Sequence, residues 1–403
     1  MRLALSFTNL GPYHLARLRA LGHRLEAEGS SLIVYETAGT ERRYPWKASR
    51  EAEPFERKTL FPGRALEEIP ARECAQAIEC GLRSDRPDAV GVVGYVRPEC
   101  LAALRWAERA ERPVILLSES QRIDKRRSWW KEAIKSRRVK RCSSALVGGP
   151  RHREYLVELG MPSARITLGY NAVDNERLAN QVQAARARGP LNGIPVDRPY
   201  LLAVNRFVPE KNLAMLVRAF ARLREHSNGG QAWSLVLCGD GPDRPALEAL
   251  VGRLCPCGLV HFPGFLQEAE LIPYYAFASA FVHPSRSEPW GLVVNEASAC
   301  GLPLLVSQRA GCVETLVPEP TGTTGRRFDP SDEGDVLAGL IWMTSLSDHE
   351  RAAMGQRAGE IVLQWGPDRF AQGMLDALEV AMRHSHRSAH ALALAAQQKM
   401  EVR

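Results

Sequence analysis

Glu288 and Glu296 stand eight positions apart in SRSEPWGLVVNEASACGLPLLVS (285–307), on either side of Gly291-Leu292-Val293-Val294. An apolar run, SAFVHPS, leads into the first carboxylate, and a helical pattern beginning at the glycine carries the second. A helix start offers unpaired N–H groups and a partial positive charge, so Gly291 and Leu292 have the chemistry to hold a phosphate. Carboxylates on either side accept hydrogen bonds from hydroxyl groups. A ligand with phosphates in its middle and hydroxyl-rich rings at both ends suits that arrangement. A capped helix carrying a solvated glutamate reads the same way from this stretch alone.

Two more stretches carry possible site chemistry. In AVNRFVPEKNLAMLVRAF (203–220), Asn205, Arg206 and Lys211 follow a strand pattern and precede a helical one. Cations at such a strand end face a ligand lying over the sheet edge, the arginine as a planar fork and the lysine as a point charge. In VLCGDGPDRPALEAL (236–250), Gly239 opens a tight strand-to-helix turn that permits close backbone approach to a ligand. No GxGxxG follows the first strand and no GxxxxGK[ST] occurs, which weighs against a nicotinamide dehydrogenase and a P-loop NTPase.

The elements that would position these residues follow a βα rhythm. LALSFT (3–8) reads as a buried strand and YHLARLRALGHRLEAEG (13–29) as the helix after it. SSLIVYE, DAVGVVGY, PVILLSES and SALVGG continue the series, each short, apolar and ended by glycine or polar residues. The polar stretch 175–199 reads as a connection between domains. A second series runs through YLLAVNRF, SLVLCGDG, LVHFPGF, SAFVHPS and LPLLVS. The expected fold class is α/β, with two Rossmann-like parallel-sheet domains facing across a cleft and ligands at the carboxyl ends of the strands. The expected boundaries are 1–185 and 196–364, a helix over 365–385, and a tail over 386–403.

The chain has 403 residues, of which 45% are apolar, and a net charge of +7. That length favours two domains, and the charge points to anionic partners. No run of about 18 apolar residues occurs, and the start lacks the apolar core and cleavage site of a signal peptide. Nine scattered cysteines, with Cys255-Pro256-Cys257 the only close pair, fit free thiols in a reducing cytoplasm rather than a metal site.

The ordered set VNRFVPEKN, LCGDGP, VHFPGF, FVHPSRSEPWGLVVNEASACGLPLLVS and GCVETL resembles the donor-binding half of the retaining glycosyltransferases of family 4, which have the GT-B fold. The likeness is close over about residues 200–330 and loose over the N-terminal half. It implies a transferase that moves a sugar from a nucleoside-diphosphate sugar to a hydroxyl acceptor with retained anomeric configuration. UDP is favoured over GDP as the donor nucleotide. On the same grounds Glu288 holds donor-sugar hydroxyls, Glu296 holds the ribose, and the backbone at Gly291, Leu292 and Val293 meets phosphate or sugar. Arg206 and Lys211 fall on the diphosphate-binding pair. Asn205, Gly239, Phe265 and Trp290 belong to the donor surroundings. The family usually needs no metal, so none is expected, nor any cofactor beyond the sugar donor. Its last helix returns to the first domain, and the same is expected here over 364–383.

The N-terminal half departs from that pattern. Where many relatives carry a histidine after the fourth strand, this chain has Ser118-Glu119-Ser120. Acceptor-side candidates are therefore Glu119 and, beside the loop after the first strand, Gly11 and His14. Asn171 and Asp174, in LGYNAVDNERL, are expected to be structural. RIDKRRSWWKEAIKSRRVKRC (122–142) reads as a basic helix with Trp129, Trp130, Ala133 and Ile134 on one face and Lys131, Lys135 and Arg138 opposite. Contact with an anionic membrane surface and simple packing weigh equally for it, with nucleic acid well behind. The expected location is cytoplasmic, with peripheral attachment open. Competing readings are hydrolysis or epimerisation of a nucleotide sugar, and a basic membrane- or nucleic-acid-binding protein on an inactive transferase fold.

Overall fold

The computed structural model describes residues 1–42, 52–191, 193–226, 232–255 and 258–401. The chain forms two units, one of Met1–Arg122, Arg126–Ala172 and Pro367–Arg403, the other of Ile123–Lys125 and Val173–Gly366.

In the first unit the strands are β1 (Arg2–Phe7), β2 (Ser31–Thr40), β3 (Glu56–Ala65), β4 (Ala89–Val93), β5 (Val114–Ser118), β6 (Ser144–Val147) and β7 (Ile166–Leu168). They form one sheet in the order β3-β2-β1-β4-β5-β6-β7, every pair parallel. Between them run α1 (Pro12–Ala27), α2 (Ala71–Asp85), α3 (Pro98–Arg109), α4 (Trp129–Val139) and α5 (Pro150–Glu158). Alternation along β1 sends Leu3 and Leu5 into the core shared with α1, and Ala4 into the core under α2 and α3. Each fully buried leucine there contributes about 1.5–3 kcal/mol.

The strands β3 and β7 escape a reading by apolar runs. β3, ERKTLFPGRA, is a polar edge strand containing Pro62, tolerated because an edge leaves one row of backbone groups unpaired. Its Arg57 and Thr59 side chains reach Glu36 on β2, so polar contacts stand in for apolar alternation.

The second unit repeats the plan with β8 (Tyr200–Val204), β9 (Ser234–Cys238), β10 (Val260–Gly264), β11 (Ala280–His283), β12 (Leu304–Ser307) and β13 (Gly325–Phe328). Their order is β10-β9-β8-β11-β12-β13, again wholly parallel. Its helices are α6 (Asn175–Arg188), α7 (Leu213–His226), α8 (Arg244–Leu254), α9 (Glu268–Phe277), α10 (Leu292–Ala299), α11 (Val313–Leu316), α12 (Glu333–Ser345) and α13 (Asp348–Leu363). A core of Leu201, Ala203, Leu235, Leu237 and Val282 meets Leu216, Phe220 and Leu340 from α7 and α12. The two parallel-sheet units are those expected from the βα rhythm.

The stretch read as a connection is a helix. Buried Leu178, Val182 and Ala185 recur at helical spacing on α6, a narrow stripe hidden among polar residues. Asp174 caps it by accepting the Arg177 N–H at 3.2 Å. Arg186 donates to the carbonyls of Ala276 (2.8 Å) and Cys300 (3.1 Å), fastening α6 within the second unit. The first unit therefore passes to the second after Ala172, not at 185.

The last helix, α14 (Pro367–Glu401), belongs to the first unit and runs past the expected end at 385. Phe370, Ala371, Met374, Ala377, Leu378 and Ala381 form its buried stripe. Ser144 and Thr167 donate to the carbonyls of Ala377 (2.6 Å) and Gly373 (2.9 Å), tying it to β6 and β7. Among the described residues no helix is long and apolar enough to cross a membrane. Cys255 is a buried free thiol, while Pro256 and Cys257 lie outside the described residues.

Candidate active site

Strand order in the second sheet reverses between β8 and β11, which lie side by side although other strands separate them in sequence. Chains leaving the carboxyl ends of such neighbours depart in opposite directions and open a crevice, the usual place for a ligand in a parallel sheet. The two loops here are residues 205–212 after β8 and 284–291 after β11. They are bound to each other. The Arg286 N–H donates to the Glu210 carbonyl at 2.8 Å. Asn212, buried and left-handed at φ 58°, donates its side-chain amide to the carbonyls of Pro284 (3.2 Å) and Pro330 (2.8 Å). Asparagine suits both tasks, since it tolerates that backbone region and brings two donors.

This scaffold brings Lys211 and Glu288 together. The Lys211 ammonium donates directly to the Glu288 carboxylate. The same oxygen lies 3.0 Å from His283 Nε2, and Ser285 Oγ is 3.1 Å from that nitrogen. Burial pushes the Glu288 carboxyl up, but Lys211 and then His283 outweigh it and hold the pKa at about 2. His283 is held below its usual value, chiefly by burial and only partly offset by Glu288. A neutral imidazole facing a carboxylate must donate, which assigns the proton to Nε2. Its Nδ1 is buried without a partner.

The turn from Glu288 into α10 depends on Gly291. Its φ of 103° lies where side-chain-bearing residues are strained, and a Cβ there would sit 3.3 Å from Glu288 Cγ. Helix α10 begins at Leu292, and Leu292 and Val293 are partly exposed. Their N–H groups fall in the first turn, outside the intrahelical ladder. Glu296 is buried further along and accepts from the Tyr275 hydroxyl at 2.7 Å. Trp290 is a packing residue: it is buried against Trp365, ring centroids 5.5 Å apart, and its Nε1–H donates to Asn295 Oδ1 at 2.8 Å.

Across the crevice, Gly239 has a different job from the one its turn suggests. Its φ is 132°, and a Cβ there would lie 1.8 Å from the Asn205 carbonyl oxygen. The close approach is thus to the neighbouring loop's backbone, which it lets settle against β9. Asn205 itself is buried at the end of β8, and neither Oδ1 nor Nδ2 has a partner. Such a group is costly unless something satisfies it. Arg206 is half-buried in the same loop, and Phe265 is exposed just after β10.

The first-unit candidates His14 and Glu119 both interact with buried Arg17. His14 Nδ1 accepts the Gly11 N–H at 3.2 Å, closing the start of α1, and its ring meets Phe7 edge-on at 5.2 Å. Burial, aided by Arg17, lowers its pKa to about 3, so it stays neutral. Glu119 is half-buried, and its charge acts on buried Arg17. Arg17 donates to the Ala172 carbonyl at 2.8 Å and lies over the Tyr170 ring.

Sequence reasoning missed His283, Asn212 and Tyr275. A histidine closing an apolar strand at the carboxyl edge of a sheet was the available signal for the first. The other two show themselves only once loops and helices are packed.

Residues 190–360 match the family described as "Glycosyl transferases group 1". Lys211, Glu288, His283 and Asn205 all lie within that span. Among curated proteins the chain is similar to sulfoquinovosyl transferase SQD2 of Arabidopsis thaliana, 34% identical over 51% of this chain and 38% of the relative. It is also similar to D-inositol 3-phosphate glycosyltransferase of Xylanimonas cellulosilytica, 32% identical over 60% and 58%. The chain thus spans about half the length of the curated relatives it matches. Among solved structures it is similar to sucrose-phosphate synthase from Thermosynechococcus elongatus, with TM-score 0.72 and 21% identity over 97% of this chain and 100% of the other. Anabaena Alr3699/HepE in complex with UDP and glucose gives 0.68 and 16% over 94% and 99%. These likenesses show the fold, two Rossmann-like units of the GT-B class.

Proposed function

We propose that this chain is a retaining, family 4 glycosyltransferase that moves a sugar from a nucleoside-diphosphate sugar to a hydroxyl acceptor without a metal. One observation carries the reading: the Lys211–Glu288–His283 cluster and the unpartnered Asn205 meet at the β8/β11 switch point inside the matched span. Solved neighbours bound to UDP and UDP-glucose favour a UDP donor, while the GDP-mannose-dependent mannosyltransferase of Mycolicibacterium smegmatis keeps GDP as the rival.

In this reading the Lys211 ammonium keeps one N–H on Glu288 and turns its others to the donor diphosphate. With Arg206 it stabilises the negative charge that grows as the sugar–oxygen bond breaks. Glu288, ionised throughout the neutral range, accepts from donor-sugar hydroxyls. Glu296 accepts from the ribose, and the N–H groups at the start of α10 face phosphate or sugar. The acceptor hydroxyl attacks on the face the leaving group departs from, which preserves configuration. The product would belong to a polysaccharide, glycolipid or other glycoconjugate.

The test is release of nucleoside diphosphate from UDP- and GDP-sugars with a panel of hydroxyl acceptors, followed by the anomeric configuration of the product. Lys211→Ala should keep the secondary structure and lose about 10²–10³ in rate. Turnover close to that of the unaltered chain would overturn the assignment. Equal nucleotide release with and without acceptor would point to hydrolysis.

A further inference from the structure

Helix α4 turns its apolar side to solvent. Trp129 is 83% exposed, Trp130 49% and Ile134 41%, with exposed Ala133 on the same face. Three of its polar residues, Glu132, Lys135 and Arg138, are drawn inward. Lys135 Nζ donates to Glu132 (2.7 Å) and to the Tyr155 hydroxyl (3.0 Å), and that hydroxyl donates to the other Glu132 oxygen at 2.6 Å. Arg138 donates to the Tyr95 carbonyl at 3.0 Å, and Arg127 lies over the Tyr155 ring at 4.4 Å. Lys135 and Arg138 lie opposite the tryptophans as expected, but Lys131 is exposed beside Trp130, and the helix is rolled so that the tryptophans are outermost. A protein surface rarely leaves two adjacent tryptophans so exposed without a partner for them.

The charge along this segment is almost all of one sign. Between Lys125 and Arg141 the only carboxylate is Glu132, and it is consumed by Lys135 and Tyr155. Arg126, Lys131 and Arg137 are exposed, and Lys131 sits 5.1 Å from the Trp130 ring centroid. Tryptophan has an apolar body and one N–H, and it favours the boundary between hydrocarbon and water. Exposed cations beside it are attracted to an anionic leaflet.

We infer that α4 docks the first unit on an anionic lipid bilayer, with Trp129, Trp130 and Ile134 entering the headgroup boundary and Arg126, Lys131 and Arg137 meeting lipid phosphates. A second copy of the chain is a poorer occupant, because it would bring the same positive charge to the contact. The inference rests on α4 alone and stands whether or not the chain transfers sugar.

The test is co-sedimentation of the full chain with vesicles of phosphatidylcholine containing about one-third phosphatidylglycerol, against vesicles of phosphatidylcholine alone. Binding is expected to the anionic vesicles only and to weaken as salt rises. The paired substitutions Trp129→Ala and Trp130→Ala should lower it by about tenfold or more, with an unchanged melting temperature. Quenching of tryptophan fluorescence by bromine-labelled lipid reads the same contact in the unaltered chain. No binding to anionic vesicles, equal binding by the paired variant, or no quenching would overturn the inference. So would a dimer in solution that the paired variant turns into a monomer.

Discussion

Two buried carboxylates, one in each unit, show how the same sheet plan serves different ends. Glu36 on β2 accepts from the Leu10 N–H (2.9 Å), from the Thr59 hydroxyl (2.7 Å) and, on both its oxygens, from the Arg57 guanidinium (2.9 Å each). It fixes the loop that leads from β1 into α1. Glu288 is also buried, yet its partners are a partly exposed lysine and a histidine with an unpartnered nitrogen. The first carboxylate joins backbone to strand. The second gathers a lysine and a histidine at a crevice, beside a helix start and an unsatisfied Asn205. Burial and pairing alone do not distinguish structure from chemistry; what the partners can still bind does.

The comparison breaks first on activity. Glu288→Gln keeps the volume but removes the charge that orders Lys211, and transfer should fall by about 10²–10³, measured as nucleoside-diphosphate release. Glu36→Ala should act the other way. Loss of a buried partner for Arg57 should cost about 3 kcal/mol in denaturant unfolding, with nucleotide affinity of the folded protein unchanged. If Glu36→Ala abolished nucleotide binding while melting normally, the contrast between the two carboxylates would be lost.

Gly239→Ala comes next. Its Cβ would collide with the Asn205 carbonyl, so a loss of about 1–3 kcal/mol is expected, together with weaker nucleotide binding as the 205–212 loop is displaced. Unchanged melting and binding would show that the loop has room to move.

The smallest effect is in pH. His283 has a lowered folded pKa, so the unfolded chain takes up its proton first and stability is lost as pH falls below about 6.5. Glu288, ordinarily 4.5 and held at about 2, contributes above 4.5 and gives that contribution up as pH falls toward 2. In a His283→Asn variant the first of these is absent. The difference in melting temperature between the two proteins should therefore shrink from pH 7 to pH 5, and a difference that grew would contradict a buried neutral His283.

Much of this was legible in the sequence. Core strands such as LALSF and YLLAV declare themselves because both faces are buried, and the order of motifs pointed to the residues around Glu288. Polar elements were not legible. The strand β3 pairs through Arg57 and Thr59, and α6 buries only a thin stripe, so neither has the apolar run that sequence reading seeks. Side-chain direction was also hidden: Trp290 turns inward to Trp365, His14 caps its own helix, and α4 shows its tryptophans outward. Those outcomes depend on neighbours far away in the chain.

The central claim is a nucleotide site at the β8/β11 switch point, and thermal melting with UDP, GDP, ADP and dTDP tests it most directly, run in parallel on Lys211→Ala. At about 100 times its dissociation constant a ligand adds roughly 2.7 kcal/mol. One nucleotide is predicted to raise the melting temperature of the unaltered chain and to raise that of Lys211→Ala far less. No response to any of them, or an equal rise in the variant, would contradict the site.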